Sequence, residues 1–110
     1  MLLRMLSQLQ SRYPQLQGRA FVDTAPLLEK QYAVEAGLGW IGRQSLLITP
    51  RFGSYVLLGE LVVNMKTSSY DSPLGGVGCG ECRRCRESCP TKALVDDMVV
   101  DTRRCVSCHT

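Results

Sequence analysis

The hydrophobic positions of the first residues repeat with the spacing of one helix face. Leu2, Leu6, Leu9 and Tyr13 are three or four residues apart, which is typical of an amphipathic helix that buries one stripe. Pro14 follows directly, and it cannot donate the backbone hydrogen bond that a continuing helix needs. The sequence therefore predicts a first helix that ends at about Tyr13.

The next stretch predicts a strand followed by a second helix. The short apolar run at residues 19–23 is typical of a buried strand. Asp23 or Thr24 can then cap a helix that has Pro26 near its first turn, where a missing N–H group does no harm. This helix is expected to end at Gly37, because glycine readily takes the left-handed conformation that closes a helix.

Two strand-like runs follow, at residues 45–49 and 54–63. Both are rich in aliphatic side chains, and a turn containing Pro and Gly at residues 50–53 lies between them. We therefore expect the two runs to pair as an antiparallel hairpin. Gly59, within the second run, predicts a bulge or a close backbone approach.

Apolar periodicity is lost in residues 66–78, which are mostly small or polar and are predicted to form a linker. This linker divides an α+β part, residues 1–65, from a cysteine-rich part, residues 79–110. Within the second part, residues 91–95 predict a helical turn and residues 98–100 a short strand. The expected fold class is α+β, with an antiparallel or mixed sheet that carries helices.

Composition and charge alter this picture little. The 110 residues, of which 45% are hydrophobic, suit one modest domain with a real core. The formal net charge of +3 is too mild to indicate nucleic acid by itself. No apolar run is long enough to span a bilayer, and the first residues lack the apolar core of a secretion signal, so we expect a cytoplasmic protein without membrane contact.

The chemistry of the chain is concentrated in a run of four cysteines that ends at Pro90. Their spacing, C-x2-C-x2-C-x3-C-P, is that of bacterial ferredoxins, in which the fourth cysteine commonly serves a second cluster. Thiolates favour iron–sulfur clusters, zinc or copper(I), and zinc sites usually combine two ligand pairs separated by a longer insert. A 4Fe–4S cluster is therefore expected, with zinc as the alternative. The candidate ligands are Cys79, Cys82, Cys85 and Cys89.

A second cysteine pair lies close to the last residue. Cys105 and Cys108 have ligand spacing and are further candidate metal ligands, after a turn that Asp101 or Thr102 can cap. His109 is expected to be solvated rather than a ligand. Six cysteines are too few for two clusters of four ligands each, so we expect one or two clusters within part of a longer two-cluster protein.

Three glycines surround the only tryptophan in residues 37–45, which we call the Gly-Trp segment. Gly37, Gly39 and Gly42 do not match a dinucleotide-binding fingerprint, because a strand-like run rather than a helix follows them. Two interpretations stay open at this point. The segment is either a glycine-rich turn with a core tryptophan, or a loop that lies against a flat cofactor.

Taken together, four stretches resemble the epoxyqueuosine reductases, cobalamin-dependent iron–sulfur enzymes of the last step of queuosine formation in tRNA. These stretches are residues 21–29, 36–47, 52–61 and 79–107, and they occur in the order of the family. The ferredoxin run alone is shared by many redox proteins. The Val-Asp-Thr-Ala-Pro and Gly-Leu-Gly-Trp-Ile-Gly sequences upstream of it make the resemblance specific.

The resemblance implies roles for individual residues. Asp23 would be the proton donor, although from the residues alone it can also be a helix cap, and the two roles are compatible. Cys79, Cys82 and Cys85 would bind one 4Fe–4S cluster, while Cys89 and Cys105 would belong to another. The implied cobalamin contacts are Gly39, Trp40, Gly42, Arg43, Gln44, Ser45 and Ser107.

The resemblance also implies an architecture and an activity. Residues 1–65 would be part of a nitroreductase-like cobalamin-binding domain, and residues 79–110 a ferredoxin-like 4Fe–4S segment that lacks the second cluster motif. The expected function is that of a fragment of an enzyme reducing epoxyqueuosine to queuosine in tRNA. Expected partners are that tRNA and a reductant or electron-donor protein, with the protein itself a monomer. The alternatives are a ferredoxin-like electron carrier without cobalamin or RNA, and a zinc-binding interaction module.

Overall fold

The computed structural model describes residues 1–23 and 25–109, which combine short helices with short antiparallel strands. The helices are α1 (Leu2–Arg12), α2 (Glu29–Glu35) and α3 (Arg84–Ser88), with a 3₁₀ turn at Val106–Cys108. The strands are β1 (Gly18–Phe21), β2 (Trp40–Ile41), β3 (Leu47–Ile48), β4 (Glu60–Val63), β5 (Leu94–Asp96) and β6 (Val99–Val100). They pair as β1–β4, β2–β3 and β5–β6, each antiparallel. The predicted mixture of helices and strands is confirmed.

Helix α1 packs on the β1–β4 pair, as its apolar stripe predicts. It ends before Pro14, and the Tyr13 N–H still donates to the Leu9 carbonyl at 2.8 Å. Leu6 is buried against this pair, where a Cβ added to Gly18 would lie 3.0 Å from a Leu6 methyl carbon. The close contact at Gly59 is with a side chain rather than with backbone, since a Cβ there would lie 2.7 Å from Leu2 Cδ1 and 3.5 Å from the Phe21 carbonyl oxygen.

Helix α2 ends as predicted but begins later than predicted. Gly37 has φ +68°, its N–H donates to Val34 O at 2.9 Å, and the Leu38 N–H donates to Ala33 O at 3.0 Å. These two bonds form the Schellman motif that satisfies the last carbonyls of a helix. The predicted start near Pro26 is wrong, because α2 begins at Glu29.

The prediction that Asp23 caps this helix is wrong as well. The residue in the N-cap position is Leu28, and no side chain caps the helix there. The alternative cap, Thr24, lies outside the described residues. A loop of several residues therefore separates Asp23 from α2, and this loop leaves the Asp23 side chain available for another role.

The predicted hairpin of residues 45–49 with residues 54–63 is wrong. Strand β3 pairs with the tryptophan strand β2, and β4 pairs with the distant β1 in the register Phe21 opposite Glu60. Only a single bridge joins Thr49 to Gly53 across the predicted turn. Each run instead pairs with a strand that precedes it in the chain, in a sheet of two strands.

The part after Pro90 differs from prediction at one element and agrees at another. Residues 91–95 were predicted to form a helical turn, but they contain a turn followed by β5. The short strand predicted at residues 98–100 is confirmed as β6. Asp101 accepts the Arg103 N–H at 3.1 Å, which is the capped turn that the sequence predicts there.

The buried core of the described residues is small and divided among the strand pairs. Its buried apolar side chains are Leu6, Leu16, Ala33, Leu47 and Ala93. The radius of gyration is 16.9 Å, larger than the roughly 13 Å expected for a compact domain of this length. Tyr55 and Leu57 are almost fully exposed. Among residues 1–23 and 25–109, no helix is long and apolar enough to cross a membrane.

Gly39 is the glycine whose substitution is expected to destabilise the fold most. A Cβ at this position would lie 2.0 Å from the Ile48 carbonyl oxygen across the β2–β3 pair, and a backbone atom cannot move away as a flexible side chain can. We expect Gly39→Ala to lower the free energy of unfolding by at least about 2 kcal/mol. Gly78→Ala is the matched control, because no atom lies within 4 Å of its added Cβ. Equal denaturation midpoints for the two variants would contradict this packing.

Candidate functional site

The cysteine run forms a tight turn followed by a short helix. The Cys82 N–H donates to the Cys79 carbonyl at 3.0 Å, and Gly80 between them has φ +50°. Cys85 lies in α3, and Cys89 directly follows that helix in an extended conformation. The four cysteines thus lie in a turn, a short helix and an extended residue within residues 79–89.

All six cysteines are free thiols, and their exposure differs. Cys82 and Cys108 are exposed, whereas Cys79, Cys85, Cys89 and Cys105 are half-buried. Within the described ranges, no three or more cysteine, histidine, aspartate or glutamate side chains are gathered closely enough to hold a metal ion. The convergence of the Cys79, Cys82 and Cys85 sulfurs on one centre stays a prediction. The donor set itself, free cysteine side chains at ferredoxin spacing, fits an iron–sulfur cluster.

Cys89 is the thiol whose surroundings most favour the thiolate form. The Ala93 N–H donates to its sulfur at 3.3 Å, and the Thr91 hydroxyl lies 3.8 Å from the same sulfur. These hydrogen bonds lower the pKa of Cys89 to about 7, with the Ala93 N–H as the largest cause. Because metals bind the thiolate, this environment suits a ligand.

The second cysteine pair lies in the 3₁₀ turn after β6. Partial desolvation of its sulfur, and then the neighbouring Cys105 thiol, raise the pKa of Cys108. His109 is exposed, and its Nε2 atom lies 3.0 Å from the Arg103 carbonyl oxygen. Ser107, an implied cofactor contact, is exposed in the same turn.

The Gly-Trp segment holds an unusual concentration of buried polar atoms without a partner. Among the described residues, four buried side-chain nitrogen or oxygen atoms have no hydrogen-bond partner, and three of them belong to Trp40, Arg43 and Ser45. A buried donor without a hydrogen bond costs about 1–3 kcal/mol, so each such atom requires a physical explanation. Three unpaired polar atoms in six residues fit a segment that completes its hydrogen bonds with a bound molecule. Cobalamin, the cofactor that the resemblance implies, carries several amide side chains of the kind that such atoms can pair with.

The backbone of this segment is held tightly around those atoms. The Gly42 N–H donates to Leu46 O at 2.8 Å, and the Ser45 N–H returns to Gly42 O at 2.9 Å. Ser45 takes the left-handed conformation, φ +67°, and its carbonyl accepts a hydrogen bond from Lys30 Nζ at 2.7 Å. Gln44 covers Gly42, where an added Cβ would lie 2.3 Å from its Oε1. The segment is therefore a preorganised turn.

Asp23 lies on an exposed loop directly after β1. Its φ of +59° is left-handed, a conformation that aspartate tolerates better than most residues. Its backbone N–H donates to Glu29 Oε1 at 2.9 Å, so the first residue of α2 anchors the loop. The carboxylate is thereby exposed on a loop whose backbone is fixed.

Glu60 is a second acidic residue beside this loop. It lies opposite Phe21 in the β1–β4 pair, and its Oε2 atom is buried without a hydrogen-bond partner. Burial, and then the negative charge of Glu29, raise the pKa of the Glu60 carboxyl above its usual range. Glu29 therefore interacts with both sides of this region: it accepts the Asp23 N–H, and its charge disfavours ionisation of the Glu60 carboxyl group.

The raised pKa of Glu60 predicts a pH-dependent stability. Because the folded state favours the protonated carboxyl, the contribution of this group is complete below its unfolded pKa, about 4.3. It is lost as the pH rises through the folded pKa. We expect Glu60→Gln to become progressively more stable than the unmodified chain as the pH increases from about 4 to 7, measured by urea unfolding. Glu35→Gln, on the exposed face of α2, is the control, and parallel curves for the two variants would contradict the burial of Glu60.

The sequence did not predict a role for three acidic residues of the candidate site. Glu29 anchors the Asp23 loop, Glu60 is half-buried beside it with a buried Oε2 atom, and Asp97 forms an ion pair with Arg43. No local pattern marks any of them, since their partners lie 6 to 54 residues away. The neighbouring Asp96 has the same sequence context as Asp97 but is far more exposed, with 76% of its side chain accessible against 42%.

The chain is similar in sequence and in structure to epoxyqueuosine reductases. It is 46% identical over 102 residues to the enzyme from Synechocystis sp., an alignment that covers 93% of this chain and 35% of that protein. No family model matches the chain.

Two solved structures of epoxyqueuosine reductases resemble the fold. One, with an epoxyqueuosine-modified tRNA-Tyr stem loop, superposes with a TM-score of 0.84 at 32% identity and covers 96% of this chain and 28% of that one. The other, from Bacillus subtilis, has its catalytic aspartate loop swung out of the active site. It superposes with a TM-score of 0.84 at 30% identity and covers 96% of this chain and 27% of that one. The chain thus spans about a third of the length of the relatives it matches.

Proposed function

We propose that this chain supplies the catalytic aspartate, the cobalamin-contacting segment and the first cluster ligands of an oxidoreductase of the epoxyqueuosine reductase type. Nearly the whole chain is similar to a segment that makes up about a third of the length of such an enzyme. The substrate is epoxyqueuosine in tRNA, and the product is queuosine. The observation that carries this proposal is the combined likeness of sequence and fold over 93–96% of the chain. A relative that has been solved with an epoxyqueuosine-modified tRNA stem loop supports the choice of substrate.

The reaction removes an epoxide oxygen and leaves an alkene, which consumes two electrons and two protons and releases water. Cobalamin and low-potential 4Fe–4S clusters supply the electrons when they are bound, since such clusters reach potentials of about −700 mV. Asp23 provides a proton to the departing oxygen. Its exposed position on an anchored loop suits this role, because a general acid must reach the reacting oxygen within hydrogen-bond distance.

The Gly-Trp segment contributes the binding surface for the corrin. Trp40 Nε1 and Arg43 Nε are buried donors that need acceptors, and Ser45 Oγ can donate or accept. Their hydrogen bonds would fix the cofactor in orientation and keep water from the reacting face. The backbone contacts come from Gly39 and Gly42, while Gln44 and Ser107 complete the proposed contact set.

Cys79, Cys82 and Cys85 hold one 4Fe–4S cluster in this proposal, and Cys89 and Cys105 contribute to a second. Cys108 is the remaining candidate ligand of the pair at the 3₁₀ turn. The lowered pKa of Cys89 supports its assignment, since a thiol that ionises near pH 7 binds metal without a large cost of deprotonation.

The finer architecture and the partners belong to the same proposal. Residues 1–65 form part of a nitroreductase-like cobalamin domain, residues 66–78 a linker, and residues 79–110 a ferredoxin-like segment. The enzyme acts in the cytoplasm as a monomer and receives electrons from a reductant or donor protein.

A segment exchange tests the proposed function. The matching third of a full-length epoxyqueuosine reductase is replaced by this chain, and queuosine in tRNA is measured by mass spectrometry in cells that lack their own reductase. We expect queuosine to form. A folded, iron-containing chimera that leaves epoxyqueuosine unchanged would overturn the proposal.

A further inference from the structure

Arg43 reaches from the Gly-Trp segment to two separate places in the cysteine-rich part. Its Nη2 donates to the Gly80 carbonyl at 2.7 Å, within the turn formed by residues 79–82, which we call the cysteine turn. Its Nη1 forms an ion pair with Asp97, at the tip between β5 and β6. A backbone hydrogen bond joins the same two regions, since the Met98 N–H donates to the Arg43 carbonyl at 2.9 Å. One side chain thus joins residues that are 37 and 54 positions away.

Asp97 extends this network to the helix that carries Cys85. Its second oxygen lies 3.4 Å from Arg86 Nη1, and Arg86 Nη2 donates to the Val95 carbonyl at 3.0 Å. Arg86 directly follows Cys85 in α3. The carboxylate is therefore shared between an arginine that holds the cysteine turn and an arginine beside the third cysteine.

The hydrogen bonds and opposite charges of this network stabilise the ionised forms of both Asp97 and Arg43. Hydrogen bonding to Arg43, followed by the charges of both arginines, lowers the pKa of Asp97, and the same bond raises the pKa of Arg43. Only 20% of the Arg43 side chain is exposed, so water screens the pair less than it screens a surface ion pair. Charge-assisted hydrogen bonds from a planar guanidinium are also the strongest and most directional of the side-chain bonds.

The cysteine turn needs such an external support. Gly80 is left-handed, and no atom lies within 4 Å of the position that a Cβ would take, so the turn is not packed against a core there. A cavity of about 260 Å³ separates it from the Gly-Trp segment and is lined by Trp40, Arg43, Cys79 and Asp97 among others. The hydrogen bond from Arg43 to Gly80 bridges this gap.

We propose that Arg43 and Asp97 form a clasp that holds the cysteine turn at a fixed position against the Gly-Trp segment. Both are positioning residues: Asp97 orients the guanidinium, and Arg43 fixes the backbone between Cys79 and Cys82. The consequence for electron transfer rests on the proposed function, because the clasp then sets the separation between the cluster ligands and the corrin contacts. The existence of the clasp does not depend on that function.

Hydrogen–deuterium exchange on the metal-free full chain tests the clasp directly. We expect Asp97→Asn to accelerate exchange of the amides in residues 79–82 by about tenfold, since the variant keeps the size of the side chain and removes its charge. Asp96→Asn is the matched control, because Asp96 is the adjacent aspartate and lies 3.6 Å from Arg86 without contacting Arg43. Amides of the β1–β4 pair report on global folding and are expected to stay unchanged in both variants.

A second pair of variants separates positioning from general stability. Arg43→Lys keeps the charge but loses the fork that serves Asp97 and Gly80 together, so we expect an intermediate acceleration. In the double variant, Arg43→Gln adds little to Asp97→Asn, because both remove the same clasp. Unchanged exchange at residues 79–82 in Asp97→Asn would overturn the proposal. Equal acceleration in the β1–β4 pair, or additive effects in the double variant, would overturn it as well.

The reduction potential of the cluster is a third readout. It distinguishes a wrong assignment of the clasp from a wrong proposed function. After anaerobic loading with iron and sulfide, we expect Asp97→Asn to raise the cluster reduction potential, since Arg43 close to Cys79 loses its counter-charge. Asp96→Asn should leave the potential unchanged. If the chain binds no iron while the exchange results hold, the clasp stands and the proposed function fails. An unshifted potential in iron-loaded Asp97→Asn would contradict the contact between the clasp and the cysteine turn.

Discussion

Asp23→Asn is expected to lower the turnover of epoxyqueuosine by about 10²–10⁴-fold in the chimera that carries this segment, with little effect on folding. Asparagine has nearly the same shape and tolerates the left-handed backbone that Asp23 adopts, so the variant removes the acid without straining the loop. The backbone N–H that Glu29 accepts is also retained. The measurement is kcat for queuosine formation in isolated tRNA.

The matched control for this variant is Asp71→Asn, which alters an exposed aspartate in the predicted linker. We expect this control to turn over normally. A second variant, Glu29→Gln, keeps an oxygen that can accept the Asp23 N–H and is expected to retain most of the activity. Unchanged turnover in Asp23→Asn would remove this residue as the proton donor, and an equal loss in Asp71→Asn would show that the effect is not local.

The second large effect is expected from the cysteine run. Cys85→Ala removes the third thiolate of the predicted cluster and is expected to abolish iron binding by that site, because a 4Fe–4S cluster requires its protein ligands. The change is measured as loss of the brown absorbance band and of bound iron after anaerobic loading. Folding is monitored through the β1–β4 pair, which lies in the other part of the chain.

Cys108→Ala is the matched control for Cys85→Ala. It removes one thiol as well, but from the exposed 3₁₀ turn near the last residue, where the resemblance assigns no ligand to the first cluster. We expect this variant to keep the first cluster. Retention of full iron content in Cys85→Ala, or its loss in Cys108→Ala alone, would contradict the assignment of Cys79, Cys82 and Cys85 to one cluster.

The parts of the fold that the sequence predicts well are those determined by neighbouring residues. Helix α1 follows from its apolar stripe and Pro14, and the end of α2 follows from Gly37, whose left-handed conformation closes two hydrogen bonds within the last turn. The turn at Asp101 is equally local, because the side chain accepts an N–H two residues away. Each of these features depends on contacts that span only a few positions.

The features that the sequence did not predict depend on distant parts of the chain. The expected hairpin fails because β4 pairs with β1 and β3 with β2, and apolar alternation does not specify which partner a strand selects. The bond between Arg43 and Asp97 joins residues 54 positions apart. The burial of Glu60 is similarly non-local. For the candidate site, the roles of the cysteines and of Asp23 stay predictions from the sequence, whereas the acidic residues around them emerged only from the fold.

Iron and acid-labile sulfide analysis of anaerobically prepared protein shows whether these cysteines hold an iron–sulfur cluster. We expect a brown protein with about four iron and four sulfide ions per occupied cluster and no stoichiometric zinc. A colourless protein that contains zinc would indicate the interaction module instead, and a protein that binds neither metal would contradict the assignment of these cysteines as cluster ligands.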